Sequence, residues 1–204
     1  MTAVMPGEKK MRYRGIIFDM DGTLTVPLLD FNRIQRELGI TEGDIAEVIE
    51  SWPEPRRTHG WQLIERYERE ASANNQLQPD ALEVLAGFAA SRIRLGIITR
   101  NTMQSVEMLL KTKLTVAFDI ILTREFPHMK PSPEPVRHIL EKWNLMPEEC
   151  LMVGDYIHDI QAANAAGAVS CYYKNAHGGD YDSEADYTVK SFQELRELVF
   201  GVNG

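Results

Sequence analysis

Asp19 and Asp21 stand one residue apart where the apolar run Gly15-Ile16-Ile17-Phe18 ends and just before Gly22-Thr23. A continuous apolar run reads as a strand covered on both faces of a parallel sheet, and carboxylates do not belong inside one unless they work at its end. Open α/β sheets bind their ligands at that carboxyl edge. Side chains alternate along a strand, so Asp19 and Asp21 can point into one crevice while Met20 faces away. Two negative charges converging there need a proton or a cation between them. Magnesium, a hard ion that prefers oxygen ligands, meets that need. Gly22 supplies the permissive backbone for a sharp exit.

Three later segments carry reactive side chains in comparable places. Thr99 ends the run Arg94-Leu95-Gly96-Ile97-Ile98. A threonine hydroxyl with backbone N–H groups at a helix start suits a phosphate dianion, and N-capping is its other common use. Lys130 precedes Pro131 and a helical pattern that lines up Val136, Ile139, Leu140 and Trp143 on one face. A lone loop lysine is ordinarily solvated, but this one falls between two other reactive segments. Cys150-Leu151-Met152-Val153 is a further apolar strand ending in Gly154-Asp155, and Asp159 falls in the first turn of the next helix, where its carboxylate can return toward Asp155.

Together these segments carry a family resemblance. Asp19-Met20-Asp21-Gly22-Thr23 resembles motif one of the haloacid dehalogenase-like hydrolase superfamily, and Ile97-Ile98-Thr99-Arg100-Asn101 resembles motif two. Lys130-Pro131-Ser132-Pro133-Glu134-Pro135 resembles motif three, and Gly154-Asp155-Tyr156-Ile157-His158-Asp159 motif four. The likeness covers residues 14 to about 175. A single D-x-D pair is weak, since acidic pairs are common on surfaces; four matches in order are specific.

The resemblance implies a magnesium-dependent phosphatase acting on a small phosphorylated metabolite. Asp19 is then the nucleophile that forms an aspartyl-phosphate, and Asp21 the acid that later serves as base. Mg²⁺ is expected on Asp19, the backbone carbonyl of Asp21, and Asp155. Thr99, Arg100, Asn101 and Lys130 are expected to hold the phosphate. Asp159 is a supporting residue that orients Lys130 or a metal-bound water. Three alternatives stay open: a dehalogenase, which needs no metal; a phosphomutase acting on a sugar phosphate; and a non-enzymatic phosphate-binding module. Thr25-Val26-Pro27 departs from the acidic or small polar residue that family phosphatases often carry beyond this turn.

Around these motifs the chain alternates. Expected strands are residues 15–18, 93–99, 118–123, 151–155 and 169–173, with an edge strand over 187–190. Expected helices are 79–90, 103–111, 133–143, 157–166 and 192–200. Such alternation predicts an α/β fold, a doubly wound parallel sheet with helices on both faces. Residues 28–78 instead show helical patterns at 31–38, 44–51 and 61–73, so the division is a tail over 1–10, a core of 11–27 and 79–204, and a helical insert over 28–78. By resemblance that insert is a small cap. Trp52 to Trp61 is its candidate specificity loop, with Arg56, Arg57 and His59 available to an anionic substrate group.

Composition bounds the partners. A net charge of -8 with no basic block argues against a nucleic-acid backbone as main partner. Hydrophobic content of 44% and charged content of 25% are those of a soluble globular protein. Cys150 and Cys171 lie in apolar runs without metal-ligand spacing and read as buried free thiols. With no membrane-length apolar run and no secretory-type start, a cytoplasmic location is expected. Nothing in the sequence indicates an oligomeric state.

Overall fold

The computed structural model describes residues 12–26, 31–74, 76–175 and 179–201. The expected tail over 1–10 lies outside the described residues, as does Pro27. Six strands form one sheet: β1 (Gly15–Phe18), β2 (Arg94–Ile98), β3 (Ile120–Leu122), β4 (Cys150–Gly154), β5 (Val169–Tyr173) and β6 (Tyr187–Val189). Their order is β3-β2-β1-β4-β5-β6, and every neighbouring pair is parallel. Chain order therefore reverses direction between β1 and β4, and their carboxyl ends open into the crevice of a switch point. This is the expected doubly wound α/β sheet.

Helices α1 (Phe31–Leu38), α2 (Ile45–Glu50) and α3 (Arg56–Asn74) follow β1, and α4 (Ala81–Ala90) leads into β2. Helices α5 (Met103–Thr112), α6 (Glu134–Trp143), α7 (Ile157–Ala166) and α8 (Phe192–Phe200) complete the two layers. Strand alternation divides the apolar side chains between them. Ile16, Phe18, Leu95, Ile97, Leu151 and Val153 pack with residues of α4, α5 and α8. Ile17, Ile98 and Met152 face α6 and α7, where Ala162 and Ala163 let the helix approach closely.

Two strand glycines make room for one indole. A Cβ at Gly15 would meet Trp143 at 2.6 Å and one at Gly96 would meet it at 3.1 Å, so the ring of Trp143 lies over bare backbone on two adjacent strands. Burial of an aromatic side chain of this kind contributes about 1.5–3 kcal/mol relative to exposure. β3 is shorter than its expected 118–123 run. Asp119 accepts from the Leu95 N–H through its side chain at 2.9 Å, replacing a ladder bond, and Thr123 turns to Glu125.

The insert has its own small core of Ile34, Leu38, Ile40, Ile49, Leu63 and Tyr67. Its chain enters and leaves through a brief antiparallel crossing, with Val26 N–H donating to Gln76 O at 2.8 Å and Gln78 N–H to Leu24 O at 3.0 Å. Leu77 there pairs with Thr25, a contact its periodicity does not announce. The expected loop from Trp52 to Trp61 needs correction, because α3 begins at Arg56. Pro53 and Pro55 stand just before the first turn, where a missing N–H costs nothing. Gly60 is kept within the helix by close packing: its Cβ would meet Ile49 and Trp52 at 3.1 Å.

Candidate active site

The site assembles at the switch point. Asp19 continues the ladder one residue past β1, its N–H donating to Val153 O at 2.9 Å, so its side chain leaves the sheet in a set direction. Lys130 Nζ lies 2.5 Å from Asp19 Oδ1 and donates to Ile98 O at 3.0 Å. It also stands 2.5 Å from Asp159 Oδ1, an ion pair whose angle falls outside hydrogen-bond geometry. Lys130 is only 4% exposed. A buried ammonium with one carboxylate removed would be strongly destabilising, so this triad stands or falls together.

Carboxylate oxygens of Asp19, Asp155 and Asp159 lie within 4.8 Å of one another. Two glycines let them converge. A Cβ at Gly154 would stand 2.2 Å from Asp159 Cβ, and one at Gly22, whose φ is +83°, would stand 2.0 Å from Asp155 Oδ2. Asp159 is further held by the Tyr156 N–H, which donates to its Oδ2 at 3.1 Å across the first turn of α7. Asp155 accepts from Asn175 Nδ2 at 2.8 Å and from the Thr23 hydroxyl at 3.4 Å.

Electrostatics follow from this burial. Asp19 is raised well above the usual carboxylate range by desolvation, which the Lys130 charge opposes. Desolvation and the Asp159 charge push Asp155 up to about 7, against the Asn175 hydrogen bond. Lys130 is held charged: desolvation lowers it, and the charges of Asp159 and Asp19 raise it by more.

Asp21 turns elsewhere. Its Oδ2 accepts from Asn101 Nδ2 at 2.6 Å and its Oδ1 from the Thr25 hydroxyl at 3.3 Å. Burial raises its pKa despite those donors. The third converging carboxylate is thus Asp159, while the Asp21 side chain stands apart. Thr99 is buried, and its Oγ1 accepts from the Asn101 N–H at 3.1 Å, so its own hydroxyl proton is available to another acceptor. It does not cap the next helix; Thr102 does, accepting from the Ser105 N–H at 3.3 Å.

Arg100, expected beside the phosphate, is engaged by the insert. Its guanidinium donates to Asp44 at 3.0 and 3.1 Å and lies 3.2 Å from His158 Nδ1. Arg56, Arg57 and His59 sit in the first turns of α3, where Arg56 stacks 3.9 Å over Trp52 and Arg57 pairs with Glu54 at 3.0 Å. Sequence reading missed Asn175 and Asp44. Asn175 sits two residues past β5, at the same sheet edge as Asp19 and Asp155, so the strand-end rule that found those aspartates would have found it. Asp44 carries no such mark, since its local pattern is that of a helix cap.

A doubly wound parallel sheet with three carboxylates and a buried lysine at its switch point defines an α/β fold with an acidic strand-edge site. The profile of the haloacid dehalogenase-like hydrolases matches residues 16–172, and the chain belongs to that family. A haloacid dehalogenase-like hydrolase domain-containing protein of Arabidopsis thaliana is 32% identical over 93% of this chain and 85% of its own length. Pyrophosphatase PpaX of Bacillus cereus is 32% identical over 95% of this chain and 99% of its own. Among solved structures, CbbY from Rhodobacter sphaeroides in complex with xylulose-(1,5)bisphosphate superposes with a TM-score of 0.69 at 22% identity, covering 90% of this chain and 96% of that one. The last of these is a likeness of fold. Among the described residues no helix is long and apolar enough to cross a membrane.

Proposed function

We propose that the protein is a magnesium-dependent phosphatase that hydrolyses a small phosphate monoester through an aspartyl-phosphate on Asp19. The observation that carries this reading is the contact of Lys130 with Asp19 and Asp159 at 2.5 Å each, beside Asp155. An all-oxygen donor set of this size fits a hard divalent ion, and Asp155, pushed up to about 7 by burial first and by the Asp159 charge second, is a carboxylate that a nearby cation would hold ionised. Asp19, Asp155 and the backbone carbonyl of Asp21 would hold magnesium, with Asp159 alongside. When bound, the ion supplies positive charge that offsets repulsion between carboxylates and phosphate.

Asp19, whose protonation the Lys130 ammonium opposes, attacks phosphorus in line as the carboxylate; an O–P bond forms to it and the bond to the leaving oxygen breaks. Asp21, raised by burial and so able to carry a proton, gives it to that oxygen. It then takes a proton from the water that releases phosphate. Thr99 and Lys130 spread the charge on the transferring phosphoryl group, with the Arg100-Asn101 turn beside them. Asn101 fixes the direction of the Asp21 carboxylate.

Residues 28–78 serve as a cap over a core of 11–27 and 79–204. Support comes from two contacts that tie the insert to the strand-edge turns, Asp44 with Arg100 and Trp61 with Arg124. The substrate is a small phosphorylated metabolite handled in the cytoplasm, and the net charge of -8 disfavours nucleic acid.

The test is a phosphate-release screen with Mg²⁺ over sugar phosphates, phosphoglycolate, nucleoside monophosphates and, given the PpaX likeness, pyrophosphate. Release that needs Mg²⁺ and disappears in Asp19→Asn is the expected result. Isomerised sugar phosphate instead of free phosphate would identify a mutase. Phosphate binding without turnover across the panel would leave a binding module, and activity undiminished by EDTA would point to dehalogenase-type chemistry.

A further inference from the structure

Arg100 follows Thr99 on the turn leaving β2, and its fork reaches across to the insert. Nη1 donates to Asp44 Oδ2 at 3.0 Å and Nη2 to Asp44 Oδ1 at 3.1 Å, the planar two-bond arrangement by which a guanidinium recognises a carboxylate. Nη1 also lies 3.2 Å from His158 Nδ1, a nitrogen that can accept only when it carries no proton. The turn itself is braced: Arg124 Nε donates to the Arg100 carbonyl at 3.1 Å and the Arg124 N–H to the Asn101 carbonyl at 3.0 Å.

Asp44 has a second set of partners. It is the N-cap of α2, and its Oδ1 accepts from the N–H groups of Ala46 at 3.0 Å and Glu47 at 3.1 Å. Were Arg100 to leave, this carboxylate would keep its helix donors. Arg100, whose side chain is one-third exposed at 33%, would need a new anion. An exchange in which an incoming carboxylate takes the fork therefore leaves neither charge unpaired.

The position of the fork says which anion that is. The turn that carries Arg100 also carries Asn101, which holds the Asp21 carboxylate at 2.6 Å, and His158, 3.2 Å from the fork, is followed by Asp159 of the lysine triad, so the fork spans the two segments that build the site. We propose that Arg100 selects phosphate monoesters whose leaving group bears a second anionic group of carboxylate shape, the substrate displacing Asp44 from the guanidinium. This rests on the phosphatase reading above.

A matched pair of esters tests it: 2-phosphoglycolate, with a carboxylate, and 2-hydroxyethyl phosphate, with a hydroxymethyl group in its place. The measured quantity is the ratio of their kcat/KM values in saturating Mg²⁺, for the wild type, Arg100→Gln and Asp44→Asn. Asparagine remains a good N-cap, so Asp44→Asn keeps α2 while removing the competing charge. The wild-type ratio should favour the carboxylate. It should drop about tenfold or more in Arg100→Gln, the scale of a lost charge-assisted pair, and rise in Asp44→Asn.

A clasp that only holds the insert in place would lower both esters together in both variants, leaving the ratio unmoved. That outcome overturns the proposal, as does a fall of the ratio in Asp44→Asn. Hydrolysis of p-nitrophenyl phosphate, abolished in Asp19→Asn, separates the two claims. Its presence with an unmoved ratio rejects only the selection by Arg100, whereas its absence together with no release from either ester rejects the phosphatase reading as well.

Discussion

Gly154 and Asp159 meet in a contact that only a glycine permits: a Cβ at position 154 would lie 2.2 Å from both Cβ and Cγ of Asp159. Asp159 cannot retreat easily, because it is anchored in the first turn of α7 by the Tyr156 N–H at 3.1 Å. The last residue of β4 thus sets where the carboxylate facing Lys130 can stand.

Gly154→Ala should therefore move Asp159 off Lys130 while leaving the sheet formed. A misplacement of about 1 Å costs on the order of a hundredfold in rate. Steady-state phosphate release, read beside an unchanged circular dichroism spectrum, checks this. Wild-type turnover in the folded variant would mean that the Lys130–Asp159 contact has no part in the reaction.

Asn101→Ala should displace the alkaline limb of the pH profile. Burial raises Asp21, and the Asn101 hydrogen bond works in the opposite direction. Without that donor the pKa goes further up, so Asp21 keeps its proton to higher pH and the alkaline fall of kcat/KM should move upward. A limb that stays put or moves down would remove Asp21 as the group seen in the profile.

Metal and pH should act on stability with opposite signs. Desolvation holds Asp19 above its usual value and Asp155 at about 7, so in the metal-free protein the native state binds more protons than the unfolded chain between the unfolded carboxylate range and that value. Stability in EDTA should then fall as pH rises from about 5 to about 7. Mg²⁺ favours the charged form and should raise the melting temperature more at about pH 8 than at about pH 6. Melting curves with a gap that narrows at higher pH would contradict the carboxylate assignment.

Ile49→Ala should loosen the insert alone. Ile49 is fully buried in the small cluster with Ile34, Leu63 and Tyr67, and such truncations cost about 2–5 kcal/mol. Hydrogen exchange should show protection lost in α1–α3 and kept in β1 and β4. Uniform loss over both would mean that insert and core unfold as one unit.

How much of this was readable from the chain differs by element. β1 and β4 were legible because strands buried on both faces are continuously apolar, and the aspartates that end them break that pattern in the one place where a charge is tolerable. β3 was overextended because Phe118 and Asp119 look strand-like in a row, whereas the Asp119 side chain takes the Leu95 N–H that a ladder would need. The start of α3 was hidden by Pro53, Pro55 and Gly60, residues that read as loop until Gly60 is seen packed against Ile49 and Trp52.

Local pattern thus determined the alternation of elements and the sheet class, and it marked Asp19, Asp21, Thr99 and Asp155 by their place at strand ends and Asp159 by its helix start, since apolar periodicity and strand-end position are properties of neighbouring residues; Lys130 stood out only through the resemblance of its segment to a family motif. Which carboxylates converge, that Asp21 turns to Asn101, and that Arg100 reaches Asp44 were decided only when segments distant along the chain met. Those choices depend on distances between side chains from different strands and helices, which only close packing around β1 and β4 can set.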